Sequence, residues 1–563
     1  MTSLSLLTSD SFLHKGAQES LNSLLSLAGN QLPPAISKLT SNVTFTPHSS
    51  IDEPFFPCPF KETETAAALK SVEACAAAAI AELRFPEVKS PKVEVDLYRT
   101  TCFLASAYLC TIDGMHKGDP NVKHKLKDTD LLAAQSNLYR RLSANLYRTS
   151  NKDEYFHLHG SLEATTALNM IGLEGHRPDM TDYHEIIKLI ESHVVKFSAK
   201  ELEKMNEEKR QAGVTAIKWE EFQETDYGKK MLQQPPWTIE QLESTSPPAK
   251  FPAVDSQLQT LSGIKVLELC RIIAGPAIGR TLAEYGADVI KVTSPKLSDV
   301  PFFQVDGNMG KHTTDLNLRD PENRKKFESL LLSADVILGG YRPQSLERLG
   351  YGPKQIIELT RARGKGIVYV EEDCFGLTYG WEGRPGWQQI ADCVTGVAWK
   401  QGESMGLNEP VIPPFPMSDY GTGCLGTIAA LIGLYRRATE GGSYMGRTSI
   451  VQYDVFLLRQ DLYPQPIIHN LRQKHDPEFY QLRYYDSVDE VGKRARKSMA
   501  RTHPEFLDEA NFGSAWSKGF QAEVKYLKSP VSIEGQKAGF KRSSRPNGFD
   551  APTWEGWEVE DLE

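Results

Sequence analysis

GIKVLELCRIIAGPAIGRTLAEYGADVIKV, residues 263–292, decides the fold. From Ile264 to Leu269, β-branched and leucine residues recur without helical spacing, the pattern of a buried strand. Ala274-Gly275-Pro276 then predicts a turn, because glycine lets the backbone approach a ligand and proline cannot continue a strand. Helical periodicity over Ala277–Tyr285, a stop at Gly286 and a second strand over Asp288–Val292 complete a βαβ unit. The first turn of such a unit is where nucleotides are held.

Downstream, the alternation continues. A helix over 321–333 precedes a strand at 335–339, and a helix over 353–363 precedes a strand at 366–371. Successive βαβ units imply an α/β fold with a doubly wound, Rossmann-like parallel sheet and right-handed crossovers. Upstream, residues 1–60 are rich in Ser, Pro and Thr and predict a loosely ordered segment, anchored by Phe55, Phe56 and Phe60. Helical patterning covers Glu62–Ala79, Glu94–Leu109 is apolar enough for a core, and Tyr155–Leu158 suggests a short strand. Helices are expected over Tyr183–Val195 and Lys200–Gln211, followed by a linker rich in proline and serine within 235–261.

Bulk properties exclude several classes. A chain of 563 residues exceeds one hydrophobic core. The net charge of −9 argues against nonspecific nucleic-acid binding and requires any polyanionic ligand to find a local basic patch. No stretch approaches the roughly 18 apolar residues of a membrane span. The eight cysteines lack CxxC spacing and read as reduced, buried residues of an intracellular protein. MTSLSLLTSDSFLHK has neither secretory nor mitochondrial character, and Asp561-Leu562-Glu563 is no peroxisomal address, so a cytoplasmic location is expected. His157 and His159 share one face of a strand, but no cysteine or carboxylate cluster stands nearby; ordinary strand histidines and no metal are expected.

RIIAGPAIGRTLAEYGADVIKV resembles the opening signature of the class III CoA-transferases, the CaiB/BaiF family, which also includes 2-methylacyl-CoA racemases. Members carry R/H-x-x-AGP, a helix and GADVIKVE; Thr293 stands here in place of the final acid. The resemblance extends over 262–455 and implies transfer of CoA from an acyl-CoA to a small carboxylic acid, with no tightly bound cofactor. By resemblance Asp419, in PFPMSDYGTGCLGTIAALIGLY, takes the place of the family's aspartyl nucleophile, in P-x-x-D-x-x-x-G before an alanine-rich helix. An aspartate has an ordinary pKa near 3.9 and is expected to be ionised without a neighbouring base. A plain N-cap is the alternative. Gly421–Gly426 spells GxGxxG, but the proline-broken PPFPMSDY before it is no strand.

CoA contacts are expected from Arg271, Ala274, Gly275 and Pro276 at the first turn. Lys311 matches the lysine of the family's N-K-R-S segment, and Arg342 and Arg348 match its F-R-P-G-x-L-x-R-x-G segment. Where family racemases carry G-H-D, this chain has Trp387 and Gln388, which disfavours racemisation because tryptophan cannot exchange an α-proton. Trp387 with Ile273 suggests an apolar acyl group. Two further readings remain: a 2-methylacyl-CoA racemase, and a non-catalytic CoA-binding relic.

VEVDLYRTTCFLAS echoes TSIVQYDVFLLRQ, each after an alanine-rich helix, and EVKYLKSPVSIEG resembles the family's closing strand segment. These echoes suggest a permutation or, more simply, a tandem duplication. The expected layout is a degenerate large-domain half over 61–150, a smaller α/β domain over 151–234, a catalytic domain over 262–455 and a segment over 456–563 completing that large domain. The family's interlocked dimers imply a homodimer or an intramolecular pseudo-dimer.

Overall fold

The computed structural model describes residues 12–46, 53–254, 259–376, 381 and 383–557. The chain opens on helix α1 (Phe12–Ala28), strand β1 (Val43–Thr46), helix α2 (Glu62–Arg84) and strand β2 (Val93–Asp96), which runs directly into α3 (Leu97–Leu104). The described part of residues 1–60 is therefore not loosely ordered. Leu13, Ala17, Leu21 and Leu24 recur at three- and four-residue steps and pack α1 against α2. The apolar stripe is present in the sequence; serines on the other faces mask it.

Alanine-rich α2 is buried on every side from Glu62 to Ala81, as a helix without a polar face must be. It packs between α1 and the helix that carries Asp419. It also brings charge into the core. Lys70 Nζ donates to both carboxylate oxygens of Glu73 at 3.0 Å, and Tyr285 Oη donates to Glu73 Oε1 at 3.1 Å. Both Lys70 and Glu73 are fully buried, and Glu284 adds a second carboxylate to the cluster.

Next come β3 (Thr111–Ile112), β4 (Ala144–Arg148), β5 (Tyr155–His159), β6 (Val214–Thr215) and β7 (Thr238–Glu243). Strands β4, β5 and β6 form an antiparallel sheet beginning a few residues before the expected boundary at 151. The βαβ unit follows as β8 (Lys265–Leu269), α4 (Ala274–Glu284) and β9 (Asp288–Thr293). After it come β10 (His312–Asp315), α5 (Pro321–Leu331), β11 (Val336–Gly339), α6 (Pro353–Thr360) and β12 (Val368–Asp373). Helices α7 (Gln388–Thr395) and α8 (Met417–Thr439), strand β13 (Ser443–Ser449) and helix α9 (Ile450–Leu458) complete this half.

The resulting sheet runs β10-β9-β8-β11-β12-β13-β7, with every pairing parallel except β13 to β7. This is the expected doubly wound α/β sheet. Its order reverses between β8 and β11, whose last residues Leu269 and Gly339 are paired, so the crevice beyond their carboxyl ends is the switch point where such sheets take ligands. The expected linker over 235–261 is partly sheet, because β7 lies inside it.

The last strands are β14 (Phe512–Ser517), β15 (Ala522–Leu527) and β16 (Val531–Ile533). The smaller sheets cross the chain: β14 and β15 take up β3, and β16 joins β1 and β2. The segment over 456–563 therefore adds no strand to the large sheet, but its Val491, Ala495 and Met499 join the core that Ile428 and Leu431 belong to. The sheet β1-β2-β16 has the same design as β12-β13-β7. In each, two parallel strands flank a long helix (α2 or α8), and the second strand carries an antiparallel neighbour. Each second strand also runs straight into a helix capped by a side chain, Asp96 to Arg99 N at 2.9 Å and Ser449 to Gln452 N at 3.2 Å. The antiparallel neighbour comes in both cases from beyond a small sheet. One core, including Leu21, Ala77, Val95, Ile428 and Leu431, joins both sets.

Candidate active site

The site begins where β8 ends. Ile273 holds φ +45, rare for a β-branched residue, and the chain enters α4 immediately at Ala274. The turn predicted at Ala274-Gly275-Pro276 is thus the first turn of the helix itself, with proline at a position that tolerates its missing N–H. Phe415, at φ +64, stands two residues before α8 in the same way. Both strained residues line one small chamber, as expected of strain concentrated at a binding site.

Beyond the carboxyl ends of β8 and β11 lies a cavity of about 1010 Å³. Gly340 lets the chain pass close under it, since a Cβ there would stand 2.9 Å from Cys270 Sγ and 3.1 Å from Glu372 Oε2. Arg271, Lys296, Arg319, Arg342 and Arg348 line it, with Asp419, Glu372 and Asp373 deeper. Arg342 is exposed at the rim; desolvation by its surroundings first, and then the Arg271 and Arg210 charges, push its guanidinium below its usual value, an effect that solvent screens. A chamber of about 90 Å³ adjoins the cavity, and Ser161, Leu162, Ile272, Trp387 and Asp419 line both.

Asp419 occupies the third position of α8, in its first turn. Pro416 before the helix has no side-chain oxygen to cap it, and Gln388 Oε1 instead accepts from Asp419 N at 3.2 Å. Gln388 Nε2 in turn donates to Asp392 Oδ2 at 3.3 Å and to the Phe415 carbonyl at 3.2 Å. Thr395 Oγ1 donates to Asp454 Oδ2 at 3.1 Å, and Ser418 Oγ to Asp392 Oδ1 at 3.4 Å. Asp419 therefore faces both cavities in front of a buried carboxylate pair.

Burial first, and then the Asp454 charge, push the Asp419 carboxyl up to about 8. The side chain remains partly accessible to cavity water, which tempers the shift without reversing its sign. Burial thus works against the expected ionisation at neutral pH, an effect of the surroundings that the side chain's identity alone does not carry. Burial also pushes Asp454 up to about 7 and, with Asp454, drives Asp392 well above the usual range.

Of the expected CoA contacts, Arg271, Ala274, Arg342 and Arg348 line the large cavity. Gly275 and Pro276 are buried beneath it, inside α4. Lys311 is a correction. It is fully buried, and its Nζ donates to Glu268 Oε2 at 2.5 Å and to the Pro276 carbonyl at 2.7 Å, so it braces β8 against the start of α4 and cannot meet a phosphate. Lys311→Met is expected to cost about 3–5 kcal/mol of stability by stranding Glu268. Thermal unfolding should register a larger change than CoA affinity measured by calorimetry below the new Tm. Thr293, where the family carries an acid, donates to Asp315 Oδ1 at 2.6 Å, so the neighbouring strand returns a carboxylate to that edge.

Several site residues escaped sequence reasoning. His159, expected to be an ordinary strand residue, stacks on Trp387 with ring centroids 5.5 Å apart, and Trp387 Nε1 donates to Ser161 Oγ at 2.9 Å. Burial keeps His159 neutral. Arg141 and Tyr108 also reach the small chamber from the first half of the chain. The one local signal was the Gly160-Ser161 break after YFHLH, at the end of a strand. Among the described residues, no helix is long and apolar enough to cross a membrane, and no group of His, Cys, Asp and Glu could hold a metal.

A family model described as CoA-transferase family III matches residues 261–490. The chain is 31% identical over 541 residues to acetyl-coenzyme A transferase nodX of Hypoxylon pulicicidum, covering 93% of this chain and 90% of that one. It is 34% identical over 481 residues to an acyl-CoA transferase of Gibberella moniliformis, covering 82% and 84%. Among solved structures, a CAIB/BAIF family protein from Brucella suis aligns at 18% identity and a TM-score of 0.38, over 52% of this chain and 97% of that one.

Proposed function

The chain belongs to the class III (CaiB/BaiF) CoA-transferases, and from that premise we propose that it passes CoA from an acyl-CoA to a carboxylic acid through an aspartyl-CoA thioester on Asp419. One observation carries the reading: Asp419 is the carboxylate common to the large basic cavity and the small chamber. The large cavity suits CoA. Its arginines supply planar forks for phosphates, and the crowding of Arg271, Arg342 and Arg210 is relieved by an anion. The chamber suits the acyl group.

In the first step the ionised Asp419 carboxylate attacks the thioester carbonyl, and collapse of the adduct breaks the C–S bond, giving a mixed anhydride and CoA thiolate. The thiolate attacks the aspartyl carbonyl, expelling the donor acid as its carboxylate and leaving aspartyl-CoA. The acceptor carboxylate then attacks that thioester, forming a second anhydride and releasing thiolate once more. The thiolate finally takes the acceptor acyl group, and Asp419 returns as a carboxylate. No proton is consumed over the cycle. The amino-terminal end of α8 favours negative charge on Asp419 and on the adducts, while Gln388 fixes the backbone that carries it.

The first half serves, in this reading, as a degenerate partner within an intramolecular pseudo-dimer. Glu64 is the third residue of α2 as Asp419 is of α8, and Phe60 and Phe415 stand alike two residues before those helices. Glu64 is buried, with Tyr463 Oη donating to its Oε2 at 2.7 Å, so the counterpart position is filled by protein. Racemisation is less well supported, because Trp387 offers no titrating group and His159 behind it is held neutral.

The test is covalent. Protein incubated with an acyl-CoA and then treated with hydroxylamine or borohydride should be modified only in the peptide containing Asp419. Modification at Glu372 or Asp373 instead, or none at all, sinks the assignment. Deuterium uptake at the α-carbon in heavy water without an acceptor acid would favour the racemase.

A further inference from the structure

The chamber next to Asp419 is mostly apolar. Tyr108, Phe303, Ile273, Val300, Ile412 and Phe415 are among its apolar lining residues, and Gln135 and Gln389 are neutral amides beside them. Arg141 interrupts that wall. Its Nε donates to Asp489 Oδ2 at 2.7 Å, while Lys117 Nζ donates to the other oxygen of the same carboxylate at 2.5 Å. The Lys117 ammonium also lies 5.1 Å from the Tyr108 ring centroid and 5.6 Å from that of Phe303, immediately behind the wall. Two cations therefore share one anion. Both partners hold Asp489 far below the usual carboxylate range against the opposing effect of burial, so it remains charged and the trio keeps a net positive charge. The remaining titratable groups of the chamber wall do not cancel it. His159 is neutral, and Asp419 belongs to the chemistry at the mouth.

A wholly hydrocarbon acyl chain would leave this charge facing apolar atoms, which is unfavourable. A second anionic group at the far end of the acyl chain would complete the trio with a charge-assisted hydrogen bond to the guanidinium. The volume of about 90 Å³ restricts the guest to a short chain. We propose that this chamber is the acyl subsite for short acids bearing a distal carboxylate, and that Arg141 is the residue that selects them over uncharged chains of the same length. The inference rests on the transfer reading above and names its substrate class. It also refines the expected apolar acyl group: the walls are apolar, the end is not.

Succinyl-CoA and butyryl-CoA are matched in length and differ only in a terminal carboxylate or methyl, so their kcat/KM ratio with isotope-labelled acetate as common acceptor reads the charge alone. The wild-type enzyme should prefer succinyl-CoA, and Arg141→Met should lower the ratio by about 10- to 100-fold. Arg141→Lys should retain most of the preference. Lys117 continues to neutralise Asp489 in these variants, and Arg141→Gln, which can still hydrogen-bond Asp489, serves if the methionine variant misfolds. Equal or better use of butyryl-CoA by the wild type, or a ratio within about twofold of wild type in both Arg141→Met and Arg141→Gln, overturns the assignment. Labelling of Asp419 by both esters is scored separately. Label without charge preference rejects only Arg141, whereas absence of label rejects the transfer reading itself.

Discussion

Asp419→Asn is expected to abolish transfer, with a loss on the order of 10⁴-fold or more in kcat, while the protein stays folded and still binds CoA. The amide has the shape of the acid without its nucleophilic oxygen pair. In the wild-type enzyme the same group should govern the pH profile. Its carboxyl is held up to about 8, chiefly by burial and then by Asp454, so below that pH the nucleophile is mostly protonated. The kcat/KM of the free enzyme should climb about tenfold per pH unit on the acid side and level off above pH ~8. Asp454→Asn removes the neighbouring charge and should move that limb to lower pH. The linkage sign makes a second, opposite expectation for stability. Between the ordinary value of 3.8 and about 8, the folded chain holds this proton more tightly than the unfolded chain, so the carboxyl costs stability as pH rises through that window. Asp419→Asn should therefore melt higher than wild type, with a gap that widens from pH ~4 to pH ~8. A flat kcat/KM across pH 6–9 in the wild type would mean that the carboxyl is already ionised there, whereas turnover by the asparagine variant would sink Asp419 as nucleophile.

Lys70→Met should lower stability by about 3–5 kcal/mol. Lys70 and Glu73 are both fully buried within α2, and Glu284 of α4 lies close enough to act on the same ammonium. Removing the lysine leaves two carboxyl groups in the core, with the neutral Tyr285 hydroxyl and Cys424 thiol but no cation hydrogen-bonded to Glu73. Burying a lone charge costs far more than the lost attraction, so both acids must protonate or the helices must part. Replacing Glu73 by Gln in the same chain should recover much of the loss, which a denaturant titration of the single and double variants would measure. A single variant within about 1 kcal/mol of wild type would mean that water enters this cluster.

The βαβ unit at 263–292 was legible because strand and helix periods and a glycine stop are local signals. The position of Asp419 was legible for a related reason, since a proline-broken approach and an alanine-rich helix lie within two dozen residues of it. Its protonation was not, because Asp392 and Asp454, which face it, are brought there by α7 and α9. Lys311 was misassigned on its motif alone: sequence shows a cation but not that Glu268 faces it across the core. Arg141 and Asp489 lie 348 positions apart, and no periodicity connects them. The helix over Phe12–Ala28 is the instructive miss, since its leucine spacing was on view while the Ser, Pro and Thr content suggested loose order.

The traded strands at β7 and β16 set the timetable of synthesis. β2 leaves the ribosome at residues 93–96, yet Val95 finds its partner Val531 only when nearly the whole polypeptide exists. For most of translation that edge carries open backbone groups of the kind that recruit foreign strands. Severing the gene between the two halves would leave each protein fragment holding a strip meant for the other, so neither should be soluble by itself, whereas co-expressed pieces could dock and regain the active fold.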